Sequence, residues 1–439
     1  MTFVETIEFS GATVSRQKAY LWALSIVFIA LILITASHFA NWPLKSSGPL
    51  ADFDDFYLAG LLSASGNVGR AYHLADLVAM QTAVFGAVGF MPWTYPPQFD
   101  LLTESLTLLP RGLAYLVFAI TTLVGFALTI RRLAPQQLVT VMMLLAPVSV
   151  VTLRTGQNGF LSGTLIGLAT LGLLSGRVSA GIPLGLMIIK PHLAVAFAVH
   201  VLCARKWTTA AVAISTVAAT SLLATAVLGV GVWTAFLGGV TEAAGFLKMD
   251  LYPHFRMISA YALVRSFGLS ASLGTAAQIG VAIFALAATA RAVRCFDQRA
   301  ALGIAAIASP MISPYAYDYD LPIYGVGVAL LLPVLMQWGR PSERLAIYAL
   351  TLSTQCLSLA LSVQHEDAPG LPVPAVSLGC VALIATLILS WRILIRASAA
   401  APAGTAATLP PNGRDWRLGS RQTALRAHQP EEDGSEAHV

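Results

Sequence analysis

Charged side chains are scarce in this chain. Asp, Glu, Lys and Arg make up only 11% of its 439 residues, whereas 56% of the residues are apolar. Soluble domains carry about 25% charged residues, so this chain lacks the means to form a water-compatible surface. The net charge of +5 does not indicate a nucleic-acid partner, because Lys and Arg of membrane proteins concentrate in cytoplasmic turns.

Cysteine and nucleotide-binding motifs are also scarce. Four cysteines lie far apart, without a CxxC pair or a histidine at metal-ligand spacing: Cys203, Cys295, Cys356 and Cys380. This pattern excludes a disulfide framework and predicts buried free thiols and no metal site. No P-loop or Rossmann glycine pattern is present, which excludes a soluble nucleotide-sugar domain. No repeat of roughly 20–50 residues is evident, which argues slightly against a transporter built from repeated halves.

Long apolar runs are abundant and recur from Tyr20 to Arg392. About 20 apolar residues form a helix that crosses a hydrocarbon core of about 30 Å, and backbone groups in lipid must be paired internally. The sequence therefore predicts an all-α polytopic membrane protein with about 11–12 transmembrane helices. The predicted spans are 20–40, 98–109, 112–131, 134–153, 158–175, 178–203, 207–230, 272–293, 299–315, 320–337, 343–363 and 371–396.

Two of these spans are the least regular. Residues 98–109 are short and include Asp100 and Glu104, while 178–203 is interrupted by Lys190-Pro191. Removing the first span would invert the orientation of the helices that follow it, unless 178–203 is a re-entrant segment that enters and leaves on one side. We predict both as spans, with the re-entrant arrangement as the alternative.

Basic residues predict the orientation. Arg16 and Lys18 place the N-terminus inside, and no small-residue cleavage site follows the first run, which we interpret as a retained helix rather than a signal peptide. Further basic residues mark later cytoplasmic turns: Arg205, Lys206, Arg291, Arg294, Arg299, Arg340 and Arg344. The regions then predicted to face outward are 41–97, 231–271 and 314–320.

This orientation divides the chain into three parts. Residues 1–19 form a cytoplasmic N-terminus, 20–396 a transmembrane domain, and 397–439 a disordered cytoplasmic tail without an apolar period. Within the domain, the periplasmic loop 41–97 is aromatic and rich in Gly and Pro. A loop of this length is typical of a functional segment, and we expect it to hold short helices at the membrane surface.

Ionisable groups near membrane depth are costly and tend to be functional. The first such cluster contains Asp52, Asp54 and Asp55, directly after the first span. In a helix, Asp52, Asp55 and Phe56 would share one face while Asp54 points elsewhere. The cluster therefore predicts a catalytic base, Asp52 or Asp55, at the outer membrane edge; a solvated acidic loop or helix N-cap is the structural alternative.

Several later segments add cations, amides and aromatic rings on the same predicted side. Cations suit a phosphate, aromatic rings suit a sugar, and a carboxylate can deprotonate an acceptor hydroxyl, so the set fits a lipid-linked phosphosugar. An interfacial aromatic belt, a capped interhelical turn and a snorkelling lysine are the structural alternatives. The candidate substrate-binding residues are Tyr57, Tyr95, Arg154, Gln157, Asn158, Lys190, His254, Arg256, Tyr317, Asp318 and Asp320.

Five short motifs occur in an order that resembles glycosyltransferase family 87. They are Asp-Phe-x-x-Phe-Tyr-x-Ala-Gly (Asp52 to Gly60), Tyr-Pro-Pro (Tyr95 to Pro97), Gly-Gln-Asn (Gly156 to Asn158), Lys-Pro (Lys190 and Pro191) and Tyr-Asp-Tyr-Asp-Leu (Tyr317 to Leu321). The resemblance spans residues 20–396 and implies a bacterial inner-membrane enzyme of the C-type glycosyltransferase fold.

The resemblance further implies a hexosyltransferase that uses a polyprenyl-phosphate sugar. It would move mannose, or a related hexose or pentose, to a lipid or glycan acceptor on the periplasmic face, with inversion and without a cofactor. Asp52 falls on the expected position of the general base, with Asp54 and Asp55 as extra carboxylates beside it. A transporter or flippase for a lipid-linked or hydrophobic substrate is the alternative from another class, and a non-catalytic membrane scaffold is a third.

Overall fold

A computed structural model describes residues 14–39, 50–367 and 376–400. Across these ranges the regular structure is helical, apart from an isolated bridge between Met257 and Tyr317. The predicted all-α fold class is confirmed. The tail predicted at 397–439 lies outside the described residues from 401 onward, as does most of the N-terminal segment.

The α-helices follow one another along the chain as follows. They are α1 (Val14–Phe39), α2 (Asp52–Ala64), α3 (Leu74–Phe85), α4 (Pro97–Leu106), α5 (Arg111–Leu133), α6 (Leu138–Leu144), α7 (Ala146–Thr155), α8 (Gly159–Leu174), α9 (Gly181–Leu186), α10 (Val195–Cys203), α11 (Trp207–Leu228), α12 (Gly231–Lys248), α13 (Ala260–Ser266), α14 (Ala271–Cys295), α15 (Gln298–Ala308), α16 (Leu321–Trp338), α17 (Pro341–Asp367) and α18 (Gly379–Ala400). Short helices α2 and α3 occupy the described part of the long first loop, as expected.

Seven helices among the described residues are long and apolar enough to cross a membrane: α1, α5, α11, α14, α16, α17 and α18. Helices α6 and α7 are bent by 61° and make an eighth span if they count as one. This number is below the predicted 11–12 because other apolar runs form short helices buried within the bundle. Helix α15, for example, has 11 residues and a length of about 16 Å, half of a hydrocarbon core.

The segment predicted as a span at 178–203 is a hairpin instead. A Cβ atom on Gly181 would lie 2.4 Å from the carbonyl oxygen of Thr209, and Lys206 N donates to Val201 O at 3.0 Å. The first arm therefore begins, and the second arm ends, beside the first turn of α11. Lys190 lies at the tip, between α9 and α10. Pro191 breaks the helix there because it lacks an N–H donor. The re-entrant alternative is therefore the observed arrangement.

Long-range contacts show which helix ends lie together. Gln298 Nε2 donates to Leu173 O and Arg299 Nη2 to Leu133 O, both at 2.8 Å, which joins the last turns of α8 and α5 to the first turn of α15. Arg396 pairs with Glu343 at 2.7 Å at the start of α17. We call this side of the bundle the basic end, since these residues lie at or near it: Arg131, Arg132, Arg177, Arg205, Lys206, Arg291, Arg294, Arg299, Arg340, Arg344, Arg392 and Arg396.

The opposite end is formed by the other termini of the same helices. Arg111 at the start of α5 pairs with Asp54 at 2.7 Å, and Gly159 at the start of α8 packs against the Tyr319 backbone before α16. Helix α16 passes through the centre of the bundle between the two ends and is mostly buried. The polar residues predicted as candidates are found mainly at this opposite end.

Candidate active site

Helix α2 begins at Asp52 and directs its three carboxylates to three different partners. Asp54 accepts from Ala51 N at 2.9 Å, which caps the first turn, and also binds Arg111 at 2.7 Å. Asp55 accepts from Gln81 Nε2 at 2.8 Å and is buried. Asp52 is left to face the polar interior, with its Oδ2 atom 4.0 Å from Arg256.

Asp52 differs from Asp55 in the cation that it faces. Its Oδ2 atom is buried and has no hydrogen-bond partner among the described residues, which is also true of Asp55 Oδ2, but the Asp52 atom lies 4.0 Å from Arg256. Burial raises the pKa of Asp52, and the charge of Arg256 and the adjacent Gln157 amide oppose that increase. The carboxylate is thus ready to accept a hydrogen bond at Oδ2.

Arg256 links Asp52 to a second carboxylate. It lies on the short 3-10 turn His254–Arg256, and its guanidinium approaches both oxygens of Asp318 at 3.4 Å. The same guanidinium lies 5.4 Å from the Tyr319 ring centroid. Burial lowers the pKa of Arg256, but Asp318 and Asp52 outweigh burial and raise it, so Arg256 is a permanent cation.

Lys190 forms the second cation of the group. Its Nζ atom lies 2.7 Å from Asp320 Oδ1, and both side chains are buried. The ammonium is also 4.7 Å from the Tyr319 ring centroid and 5.9 Å from that of Tyr95. We call Asp52, Lys190, Arg256, Asp318 and Asp320 the ion cluster; tyrosine rings line it.

Tyr317 stacks on Tyr319 with their ring centroids 5.1 Å apart and their planes within 6°. The Tyr317 backbone N–H donates to Asp320 Oδ2 at 3.1 Å, which fixes the turn that carries both late carboxylates. Ser358 on α17 donates its hydroxyl to Asp318. The aromatic and acidic parts of this motif are thus held as one unit.

The predicted amide motif meets the ion cluster at the start of α8. Gly156 adopts a left-handed conformation with φ 69° and ends α7. Gln157 Oε1 accepts from Tyr95 Oη at 3.1 Å and from Asn158 N at 3.2 Å. Asn158 is fully buried, and neither atom of its amide group has a hydrogen-bond partner among the described residues.

Other predicted residues are not joined to the ion cluster by these contacts. Tyr57 Oη donates to Leu109 O at 3.1 Å, and His254 Nε2 lies 3.5 Å from Asp250. Arg154 lies in the last turn of α7, just before the amide motif. The roles of these residues in substrate binding, and those of Asp52 and Asp55 as a base, stay predictions.

Sequence reasoning missed two features near the site. The ring of Tyr319 lies against both Lys190 and Arg256. Its neighbours in the motif were predicted as substrate-binding residues, but Tyr319 was not. Asp100 is buried and accepts hydrogen bonds from Tyr72 Oη at 2.6 Å and from Trp93 Nε1 at 2.9 Å. Trp93 lies two residues before Tyr95 in the chain. Its position within an apolar run was the available signal.

Metal ligands and thiols do not add to this picture. No group of three or more His, Cys, Asp or Glu side chains in the described part of the chain is arranged to hold a metal ion. The cysteines are free, but only Cys380 is buried; Cys203, Cys295 and Cys356 are exposed, contrary to our expectation. They lie on or at the ends of apolar helices of a membrane protein, where an exposed side chain can face lipid.

The family model of glycosyltransferase family 87 matches residues 93–314, half of the chain. The chain belongs to glycosyltransferase family 87. The matched stretch contains Tyr95, Gln157, Asn158, Lys190 and Arg256. Membership of family 87 makes the protein a membrane glycosyltransferase, and it confirms the family resemblance seen in the sequence motifs.

Among solved structures, this family 87 protein is similar to ArnT from Cupriavidus metallidurans, crystallised in the apo state. The two chains are 13% identical, the match covers 86% of this chain and 78% of ArnT, and the TM-score is 0.34. A likeness at that score does not establish a shared arrangement of helices. None of the curated proteins matches the chain significantly.

Proposed function

We propose that this family 87 protein transfers mannose, or a related hexose or pentose, from a polyprenyl-phosphate donor to a lipid or glycan acceptor. Transfer would occur with inversion on the periplasmic face of a bacterial inner membrane, and Asp52 would be the general base. One observation carries the proposal: the buried Asp52 Oδ2 atom lacks a hydrogen-bond partner among the described residues and lies 4.0 Å from the cation Arg256. A base and a phosphate-binding group are therefore adjacent.

The distribution of charge supports the periplasmic face. Lys and Arg concentrate on the cytoplasmic side of membrane proteins, and the basic end of this bundle lies away from the ion cluster. The helices that start beside the cluster, such as α5 and α8, end at the basic end. On this orientation the ion cluster lies at the outer side of the membrane.

The proposed reaction uses the ion cluster in a simple way. The donor phosphate binds to Arg256, which can present two N–H groups to it, and the charge of Lys190 lies nearby. Asp52 removes the proton of the acceptor hydroxyl as its oxygen attacks the anomeric carbon. The bond from that carbon to the phosphate oxygen breaks, and Arg256 stabilises the negative charge on the leaving group.

The geometry also explains why Arg256 should not block the base. In the substrate-free site Arg256 lies between Asp318 and Asp52, at 3.4 Å and 4.0 Å. A phosphate that forms two hydrogen bonds to a guanidinium binds it more strongly than a carboxylate 4.0 Å away does. Donor binding would thus draw Arg256 toward the phosphate and release Asp52 for the acceptor.

The decisive experiment is Asp52→Asn, assayed with a polyprenyl-phosphate sugar. The amide keeps the shape and removes the basicity, so turnover should fall by roughly 100-fold or more while protein level and donor binding are retained. Asp76→Asn is the matched control, because Asp76 lies in the same loop and is 46% exposed. Parental turnover by the Asp52 variant would overturn the assignment. Loss of turnover in an Asp55→Asn variant alone would place the base one helical turn later.

A further inference from the structure

Asn158 stands out among the buried amide side chains of this protein. It is fully buried, yet its Oδ1 and Nδ2 atoms both lack a hydrogen-bond partner among the described residues. The hydroxyl of Tyr95 is a nearby polar group; it donates its single proton to Gln157 and does not complete a hydrogen bond with the Asn158 amide. A buried amide without partners is unfavourable unless something else binds it.

The other buried glutamines outside the candidate site each have at least one paired amide atom. Gln81 donates to Asp55 at 2.8 Å and accepts from Gly89 N at 3.0 Å. Gln355 donates to Leu144 O at 3.1 Å and accepts from Val148 N at 3.2 Å. Gln278 accepts from Ala260 N and donates to Ile312 O. Gln98 donates to Ser221 Oγ at 2.8 Å but leaves its Oε1 atom unpaired. Among the buried amides of the described residues, Asn158 is the one with neither atom paired.

The backbone around Asn158 is held in place by close packing on both sides. Gly156 before it is left-handed, and a Cβ atom there would lie 2.5 Å from Phe53. Gly159 after it packs so closely that a Cβ atom would lie 1.8 Å from Tyr319 O. The unsatisfied amide is thus built into the site.

The chemistry of the amide identifies its partner. A primary amide offers two N–H donors and one acceptor oxygen. A phosphodiester oxygen can only accept hydrogen bonds, and a polyprenyl chain can neither donate nor accept them. Two neighbouring sugar hydroxyls can do both. We infer that Asn158 binds adjacent hydroxyl groups of the donor sugar and thereby selects among sugars. This inference rests on the proposed function and leaves the phosphate to Arg256.

The first test compares Asn158→Leu with Gln355→Leu in the purified protein without substrate. Leucine at 158 removes an unsatisfied amide, so the melting temperature should stay equal or rise. Leucine at 355 removes a paired amide and should lower it. A fall at 158 as large as that at 355 would show that Asn158 is satisfied by the protein, and would overturn the inference.

The second test measures selectivity with a panel of polyprenyl-phosphate hexoses and pentoses and their singly deoxygenated forms. The parent should prefer the complete sugar over the form that lacks a contacted hydroxyl, whereas Asn158→Leu should lose roughly 100-fold in kcat/KM on the complete sugar and treat the two donors alike. An active parent whose Asn158→Leu variant keeps the parental preference overturns this inference alone. A parent inert toward the whole panel overturns the proposed function, and this inference with it.

Discussion

Arg256 and Lys190 are both candidate phosphate ligands, but their pairing differs. Lys190 is bound to Asp320 at 2.7 Å, whereas Arg256 is 3.4 Å from Asp318 and 4.0 Å from Asp52. The looser cation is easier for a phosphate to recruit, and its planar guanidinium can hold two phosphate oxygens at once. The sequence could name both residues, but only the distances rank them.

This ranking predicts that Arg256→Ala weakens binding of polyprenyl phosphate by roughly 10- to 100-fold. Arg256→Lys should restore only part of the affinity, because an ammonium cannot form the two parallel hydrogen bonds. Arg70→Ala, an exposed arginine in the long loop, is the control and should bind as the parent does. Binding can be measured by ligand-induced thermal shift. Unchanged binding by Arg256→Ala, with a loss in a Lys190 or Arg154 variant, would move the phosphate to another cation.

Asp100 predicts a pH dependence of stability. Burial raises the pKa of Asp100 to about 7, despite the hydrogen bonds from Tyr72 and Trp93 that lower it. The folded protein therefore keeps a proton that the unfolded chain releases near pH 4. This contribution to stability is present at low pH and is lost as the pH rises through about 7.

Thermal melts at pH 4 and pH 8 can test this prediction. The melting temperature should fall less between the two in Asp100→Asn than in the parent, because the amide does not titrate and the remaining groups are common to both proteins. An equal fall in the two proteins would mean that Asp100 is ionised throughout. The test needs no substrate, so it is independent of the proposed reaction.

Among the elements, the turn between α7 and α8 depends most on glycine. The Cα atom of Gly159 lies so close to the turn that carries Asp318 and Asp320 that a Cβ atom would meet Tyr319 O at 1.8 Å. Gly159→Ala should therefore displace that backbone, lower the melting temperature and reduce turnover by about 10-fold or more. Gly280→Ala is the matched control, since no heavy atom lies within 4 Å of its Cβ position in α14. Alanine should stabilise that helix slightly, and a harmless Gly159→Ala would show that the two turns are not in tight contact.

The hairpin 178–203 shows what an apolar pattern can and cannot predict. Its composition is that of a span, because a segment enclosed by other helices needs the same apolar side chains as one in lipid. Lys190-Pro191 did indicate a break, but not which way the chain turns after it. That direction depends on contacts such as Gly181 with Thr209, which pair residues with no local signal.

Across the whole molecule, the helical class and the order of the motifs could be predicted, and the number of spans could not. Periodicity and length reveal apolar helices, but a short helix such as α15 is apolar because the bundle covers it. In the candidate site, too, some features could be predicted from the sequence and others could not. The helical spacing of Asp52 and Asp55 was predictable, whereas the glutamine on α3 that engages Asp55, and so leaves Asp52 to the ion cluster, was not.

The hairpin changes the predicted orientation in a testable way. If 178–203 enters and leaves on one side, Ser175 and Thr208 lie on the same face of the membrane, with the basic end, and Ser65 lies on the other. Single cysteines can be introduced into a cysteine-free protein by Ser65→Cys, Ser175→Cys and Thr208→Cys, all at exposed positions. A membrane-impermeant thiol reagent should label only Ser65→Cys in intact cells, and the other two after permeabilisation.

Reporter fusions at Gly66 and Gly434 extend the same test to the two ends of the chain. We expect Gly66 outside, beside the helices that carry Asp52 and Gln81, and Gly434 inside, because the basic end holds the positive charge that is retained in the cytoplasm. Fusions that score on one side together would refute this topology. Labelling of Ser175→Cys and Thr208→Cys from opposite sides would instead show that 178–203 crosses the membrane. Lys190 would then lie within a span, and its pairing with Asp320 would have to be maintained inside the bilayer. A charge in the bilayer that has no access to water depends entirely on its ion-pair partner.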